Sequence, residues 1–192
     1  MTETVLGLFR HGQTDWNIDL RLQGTADIPM NEFGQAQVAR AAGLVAEQTW
    51  DVILSSPLGR AKHSAQIIAE RTGHGEIVET GHLMERAFGI GEGMLYAEWQ
   101  EKFAHLDSIP GAESAKQVTQ RAVGLLNFIS QEFTGQKVLA VSHGALIRFV
   151  LSHVSDGAVP PTGERLQNAS LHILRQRDRW SLDAWSPEPL GG

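Results

Sequence analysis

Short aliphatic runs separated by segments with a helical repeat set the pattern of this chain. Val5–Phe9, Val52–Ser55 and Val138–Val141 are too short for helices and rich in branched or aliphatic side chains. Each is followed within a few residues by a helix start, the βα rhythm of a mostly parallel sheet. A helix is predicted from about Glu32 to Gln48, burying Val38, Ala41, Ala42 and Val45. A second is predicted to open at Ser56-Pro57, where a hydroxyl can cap the first turn and the missing proline N–H costs nothing. A third begins near Ser114: Ser114 and Gln117 have the spacing of a capping box, and Val118, Ala122, Leu125 and Ile129 repeat along one face. A further helix should follow Gly144. Ala169–Leu174 and Trp180–Trp185 alternate as the strands of a terminal hairpin across Arg175–Arg179. Together these elements predict an α/β fold, a three-layer α/β/α sandwich whose mostly parallel central sheet ends in a C-terminal antiparallel hairpin. A single domain is expected over residues 1–186, with 187–192 as a disordered tail.

Composition narrows the chemistry. The chain has 192 residues, 42% of them hydrophobic, enough for one sizeable core. It contains no cysteine, which closes every thiolate mechanism, disulfide and thiolate metal site, and fits a reducing compartment. The N-terminus carries no basic leader, and no apolar run approaches the roughly 18 residues of a membrane span. A cytoplasmic protein with no membrane contact is expected. Sixteen basic residues against 22 acidic ones give a net charge of −6, with no basic stripe for nucleic acid. Any anion this protein binds must therefore be drawn by local charge.

The charged residues supply that local charge. Arg10-His11 follows the first predicted strand, Arg60 falls in the first turn after the second, and His143 follows the third. In open α/β sheets, ligands bind outside the carboxyl ends of the strands, so these four converge on one crevice. Arginine forks suit phosphate oxygens, and helix N-termini at Pro57 and Gly144 add backbone donors, so Gly144 joins the candidate ligands. Neighbouring guanidinium groups should hold His11 neutral, and a neutral imidazole can attack phosphorus. Gly12 is expected to leave room for a tetrahedral group beside the ring. Glu85 is the candidate proton donor, held protonated by a partly apolar setting and later deprotonating water.

The segments LFRHGQTDWN, LQG, SSPLGRAKHSA, ERAFGIGEG, PGAES and VSHG, in this order and at these spacings, resemble the signature blocks of the histidine phosphatase (phosphoglycerate mutase-like) superfamily. The resemblance runs from about residue 5 to 174. It implies His11 as a transiently phosphorylated nucleophile, Arg10, Arg60 and His143 as phosphate ligands, Glu85 as acid and base, and neither metal nor cofactor. It also implies that Asn17 lines the phosphate pocket, with Gln23 and Gly24 nearby. The cofactor-dependent mutases of this superfamily grip the substrate carboxylate with an adjacent arginine pair before the long helix. Between Glu85 and Gly111 this chain offers only Arg86 and Lys102 as basic residues, and Phe88 replaces the tyrosine of the mutase pattern. The phosphatase branch is therefore favoured, with a small phosphate monoester as partner; oligomeric state, including a homodimer, is left open.

Other readings compete. Phosphoglycerate mutase is the nearest. Ala140-Val141-Ser142-His143-Gly144 lies close to a serine nucleophile elbow, but the acid and histidine that must follow could only be Asp156 and His172. No paired histidines or aspartates offer three metal ligands. A non-catalytic phosphate-binding module would need neither His11 nor Glu85. The remaining histidines, Glu92 and the five tryptophans are expected to be surface, loop or packing residues, although Trp99 could line a pocket.

Overall fold

A computed structural model describes residues 3–191. Six strands form one sheet in the order β3-β2-β4-β1-β5-β6. They are β1 (Thr4–Arg10), β2 (Val52–Ser55), β3 (Ile77–Glu79), β4 (Lys137–Ser142), β5 (Leu171–Gln176) and β6 (Trp180–Ala184). The first four are parallel to one another; β5 runs antiparallel to β1 and β6 antiparallel to β5. Among the described residues the α-helices are α1 (Asp15–Ile18), α2 (Glu32–Val45), α3 (Gly59–Thr72), α4 (Tyr96–Lys102), α5 (Ala115–Glu132) and α6 (Gly144–Val154).

Strand alternation divides the core into two layers. Phe9, Leu139 and Val141 point to one face and pack with Val38, Ala41 and Val45 of α2 and Ala61, Ala65 and Ile68 of α3. Leu6, Leu8, Val138 and Ala140 point to the other and pack with Ala122, Leu125 and Ile129 of α5 and Leu146 and Val150 of α6. Near-continuous burial along β1 and β4 follows from coverage on both faces. A smaller cluster of Leu22, Phe88 and Ile109, joined by Trp99, Phe103 and Leu106, ties together the two long loops beyond the strand ends.

The predicted helix starts and stops moved in places. The Ser114 hydroxyl does cap α5, accepting from the Gln117 N–H at 3.3 Å. At Ser56-Pro57, by contrast, the helix begins only at Gly59, with Leu58 at its cap. Proline biases the preceding residue to extended backbone, so the chain needs two more residues to turn. The helix from Glu32 stops at Val45, three residues short. The three-residue edge strand β3 and the short helices α1 and α4 carry too little periodicity to be foreseen. In the segment expected as a tail, the Leu190 N–H donates to the Ala169 carbonyl at 2.9 Å, and its side chain packs on the core layer that α2 covers. An apolar residue within reach of an open core edge suffices for this; Gly192 lies outside the described residues.

Candidate active site

Strand register brings the two histidines together. β1 and β4 are neighbours, with Arg10 opposite Ser142, so His11 and His143 leave adjacent strands at the same end. Their rings lie 5.1 Å apart, tilted by 58°. Both are buried. His11 Nδ1 sits 2.7 Å from the Gly12 carbonyl, which can only accept, so Nδ1 carries the proton and Nε2 keeps its lone pair. Burial drives the His11 pKa well below the usual imidazole value, and Arg60 and then Arg10 add to the shift. Desolvation, rather than the guanidinium groups that the sequence points to, is the larger cause. His143 is pushed down in the same way, by burial first, then by Arg60, His11 and Arg10. Its Nε2 meets the Ser56 hydroxyl at 2.8 Å.

Arg60 has no exposed surface and is held by carbonyls rather than by a carboxylate. It donates to Gly24 O and Ala26 O, both at 2.7 Å. Burial lowers its pKa to about 10. The turn that presents these carbonyls is itself clamped by Glu92, which accepts from the N–H groups of Thr25 and Ala26 at 2.9 Å and of Phe88 at 3.1 Å. Glu92 is thus a structural clasp, where sequence suggested an ordinary loop residue. Arg10 donates to the Leu166 carbonyl and lies beside Gly144, where an added Cβ would stand 3.2 Å from Arg10 Nε.

Glu85 lies in a polar setting, correcting the expected apolar one. Its Oε1 accepts from the N–H groups of Arg86 at 2.9 Å and Leu146 at 3.1 Å, and Oε2 accepts from Ala145 at 3.1 Å. The carboxylate therefore sits on the N-terminus of α6, beside the His143 strand end, where amides are unpaired and the dipole is positive. Arg121 on α5 fixes the segment from behind, donating to Met84 O at 2.6 Å and Glu85 O at 3.3 Å while paired with Glu113.

These groups face a cavity of about 410 Å³. Arg10, His11, Asn17, Gln23, Gly24, Glu85 and Gly144 line it. Arg60 and His143 are not on its wall; both are fully buried next to His11. Three buried nitrogens at this site, Arg10 Nε, Arg60 Nε and His143 Nδ1, have no partner in the protein. The two guanidinium nitrogens are donors, and burying them is costly unless something accepts from them.

A family profile described as the histidine phosphatase superfamily (branch 1) matches residues 6–187. This chain belongs to that superfamily. It is 38% identical over 93% of its length, and 92% of the relative's, to a protein named as uncharacterized phosphatase PhoE of Bacillus subtilis. It is 31% identical over 96% of its length, and 91% of the relative's, to a probable phosphoglycerate mutase GpmB of Serratia proteamaculans. Its fold matches that of a mycobacterial glucosyl-3-phosphoglycerate phosphatase solved with VO3, at a TM-score of 0.82, 28% identity and coverage of 94% and 98%. Histidine phosphatase and phosphoglycerate mutase-like enzymes are thus its kin, and the α/β layering is theirs.

Within this histidine phosphatase fold, the reading of Gly12 needs correcting, while the serine alternative fails as argued from its spacing. Gly12 does not clear a path for phosphate: an added Cβ would stand 2.5 Å from Gly34 O, 2.7 Å from Met30 Sδ and 2.7 Å from Val38 Cγ2. The glycine lets the β1 loop press onto α2. Ser142 is no nucleophile elbow, since its buried hydroxyl donates to Leu83 O at 2.9 Å on the last residue of β4, and His172 interacts instead with Ser170 at 3.2 Å. His172, expected on the surface or satisfied, is buried with Nδ1 unpartnered. Trp99 packs in the loop cluster, while Trp16 reaches the cavity wall.

Residues that sequence reasoning missed come mostly from loops. Asn168 donates to the His11 carbonyl and to Asn17 Oδ1, both at 3.0 Å, and so links the first block to the segment before β5. Asn17 in turn accepts from the Thr14 N–H at 3.0 Å within the α1 capping box, and Gln23 donates to Thr14 Oγ1 at 2.7 Å. Ser56 holds His143. Arg148 and Arg165 reach the wall from distant segments. Nothing in their spacing signals this. Among the described residues, no group of three or more His, Asp or Glu is placed to hold a metal ion, and no helix is long and apolar enough to cross a membrane.

Proposed function

We propose that this protein is a metal-independent phosphomonoesterase acting on a small phosphorylated metabolite through a phosphohistidine. The observation that carries this is His11: neutral, its Nδ1 proton tied to Gly12 O, and set between Arg10 and Arg60 on the wall of an arginine-rich cavity. In the first transfer the Nε2 lone pair attacks phosphorus in line and the ester P–O bond breaks, while the proton carried in by the monoester monoanion passes through the Glu85 carboxylate to the leaving alkoxide. In the second, water attacks phosphorus as the P–Nε2 bond breaks, Glu85 takes the water proton, and His11 is restored with inorganic phosphate released. The equatorial oxygen charge is assigned to Arg10 on the wall, with Arg60 and His143 buried beside His11 acting from behind it, and the unpartnered nitrogens of all three support this reading. Asn17, Gln23, Gly24 and the α6 amides at Gly144 complete the phosphate pocket. The absence of an adjacent arginine pair after Glu85 favours water over a second hydroxyl as the acceptor.

Phosphorus NMR of EDTA-treated protein with 3-phosphoglycerate, a trace of bisphosphoglycerate and several sugar phosphates tests this. Inorganic phosphate should grow with the parent and be absent with His11→Ala. Growth of 2-phosphoglycerate without phosphate release would make the protein a mutase. Dependence on added divalent metal would overturn the metal-free mechanism.

A further inference from the structure

The cavity wall carries far more positive charge than one phosphate needs. Five arginines line it, Arg10, Arg21, Arg86, Arg148 and Arg165, against one carboxylate, Glu85, in a chain whose net charge is −6. Two of the five are neutralised locally: Arg86 pairs with Asp107 at 2.6 Å and Arg21 with Asp19 at 3.3 Å. Arg10 belongs to the reacting centre. Arg148 and Arg165 remain, and neither pairs with a carboxylate among the described residues.

Both are held in place by neutral groups that leave their charge unspent. Arg148, in the second turn of α6 and half-buried, donates to the Glu164 carbonyl. Arg165, one residue further along that same loop, lays its guanidinium over the Tyr96 ring at 4.9 Å. Tyr96 comes from α4, on the other long loop, so the two arginines and the aromatic ring converge from three segments. Side-chain entropy is normally lost when a flexible arginine is fixed; here the carbonyl and the ring fix it before any ligand arrives. Their field reaches the phosphate end, since both guanidinium groups disfavour the charge on Arg10.

Resting on the phosphomonoesterase reading, we propose that Arg148 and Arg165 form a second anion subsite. The preferred substrate then carries a carboxylate or a second phosphate beyond its scissile phosphate. The subsite supplies what the missing arginine pair after Glu85 would otherwise deny, but from α6 and the loop before β5. A neutral alcohol or unmodified sugar as the leaving group would leave both guanidinium groups without an acceptor.

Calorimetric binding of non-hydrolysable phosphonates tests this without turnover. A short series of phosphonocarboxylates is compared with alkylphosphonates of the same chain length, and a diphosphonate arm ranks carboxylate against phosphate. At the best chain length, the second anion should tighten binding by roughly tenfold or more, the scale of one charge-assisted contact. Arg165→Met and Arg148→Met should each bring that ratio toward parity. Equal affinities within every pair, in the parent, would overturn the subsite whatever the variants do. A preference that survives in both variants and in their combination would equally overturn the assignment to these residues. Hydrolysis of glycerol phosphate, and its loss in His11→Ala, is scored separately, so failure of the phosphatase reading cannot be confused with failure of the subsite.

Discussion

At the scale of single residues, the site depends on close backbone approach as much as on charged side chains. Gly12 and Gly34 face each other where the β1 loop meets α2, and an added Cβ at Gly34 would stand 2.1 Å from Gln13 O. Gly12 also gives its carbonyl to His11 Nδ1 and its N–H to the Ser64 hydroxyl at 3.1 Å, so a displaced Gly12 alters the imidazole that attacks. Gly12→Ala should therefore cost about 1–3 kcal/mol, the range for overpacking against groups that cannot move aside. It should lower the melting temperature by about 2–4 °C per kcal/mol and reduce kcat. Scanning calorimetry with steady-state kinetics checks both. An unchanged melting temperature with weakened phosphate binding would instead return Gly12 to the ligand-clearing role that sequence suggested.

At the scale of elements, strands deliver the reacting groups and loops orient them. Arg60 rides on α3, yet its guanidinium is aimed by Gly24 O and Ala26 O, and that turn is held by Glu92 from the facing loop. Glu92→Ala removes an acceptor shared by three main-chain amides and the Thr25 hydroxyl. It is expected to lower kcat/KM by about tenfold or more, because small misplacements of a clamping arginine are costly. Glu92→Gln, which keeps one acceptor oxygen, should recover part of that loss, whereas equal activity in all three proteins would show that Arg60 needs no such turn. This division of labour explains what was legible in sequence. Arg10, His11, Arg60 and His143 could be placed because each follows a strand or opens a helix, and strand ends converge by topology. Glu85 stands out by its motif, but its polar setting does not, since contact with the α6 amides is a long-range pairing. Asn168, Arg148, Arg165 and Glu92 lie on or contact irregular loops, where no period encodes which side chains meet.

At the scale of the whole molecule, burying an arginine-flanked histidine site has a consequence for stability in acid. Burial, then Arg60 and Arg10, depresses His11; burial, then Arg60, depresses His143; and burial, then Arg10, lowers His172 to about 4. All three imidazoles stay neutral in the folded chain at pH values where the unfolded chain protonates them, near the ordinary imidazole value of about 6.5. Above that value neither state binds the proton, and these groups leave stability independent of pH. As pH falls below it, the unfolded state takes up protons that the folded state refuses, so stability drops until each folded-state pKa is reached. For His172 this window runs from the model-peptide value of 6.5 down to about 4. Each group contributes a slope of up to about 1.4 kcal/mol per pH unit within its window. The depressed carboxylates Glu3, Asp107 and Glu113 act lower, since their model-peptide values are 4.5, 3.8 and 4.5. Urea unfolding followed from pH ~7.5 to ~5 should therefore show a falling midpoint, steepening below the imidazole value. His172→Leu takes one buried imidazole out of the balance without touching the cavity wall, and should make that decline shallower by one group's share. A midpoint that stays flat to pH ~5, or a decline that His172→Leu leaves unchanged, would mean that the buried histidines do not set the acid limit of this fold.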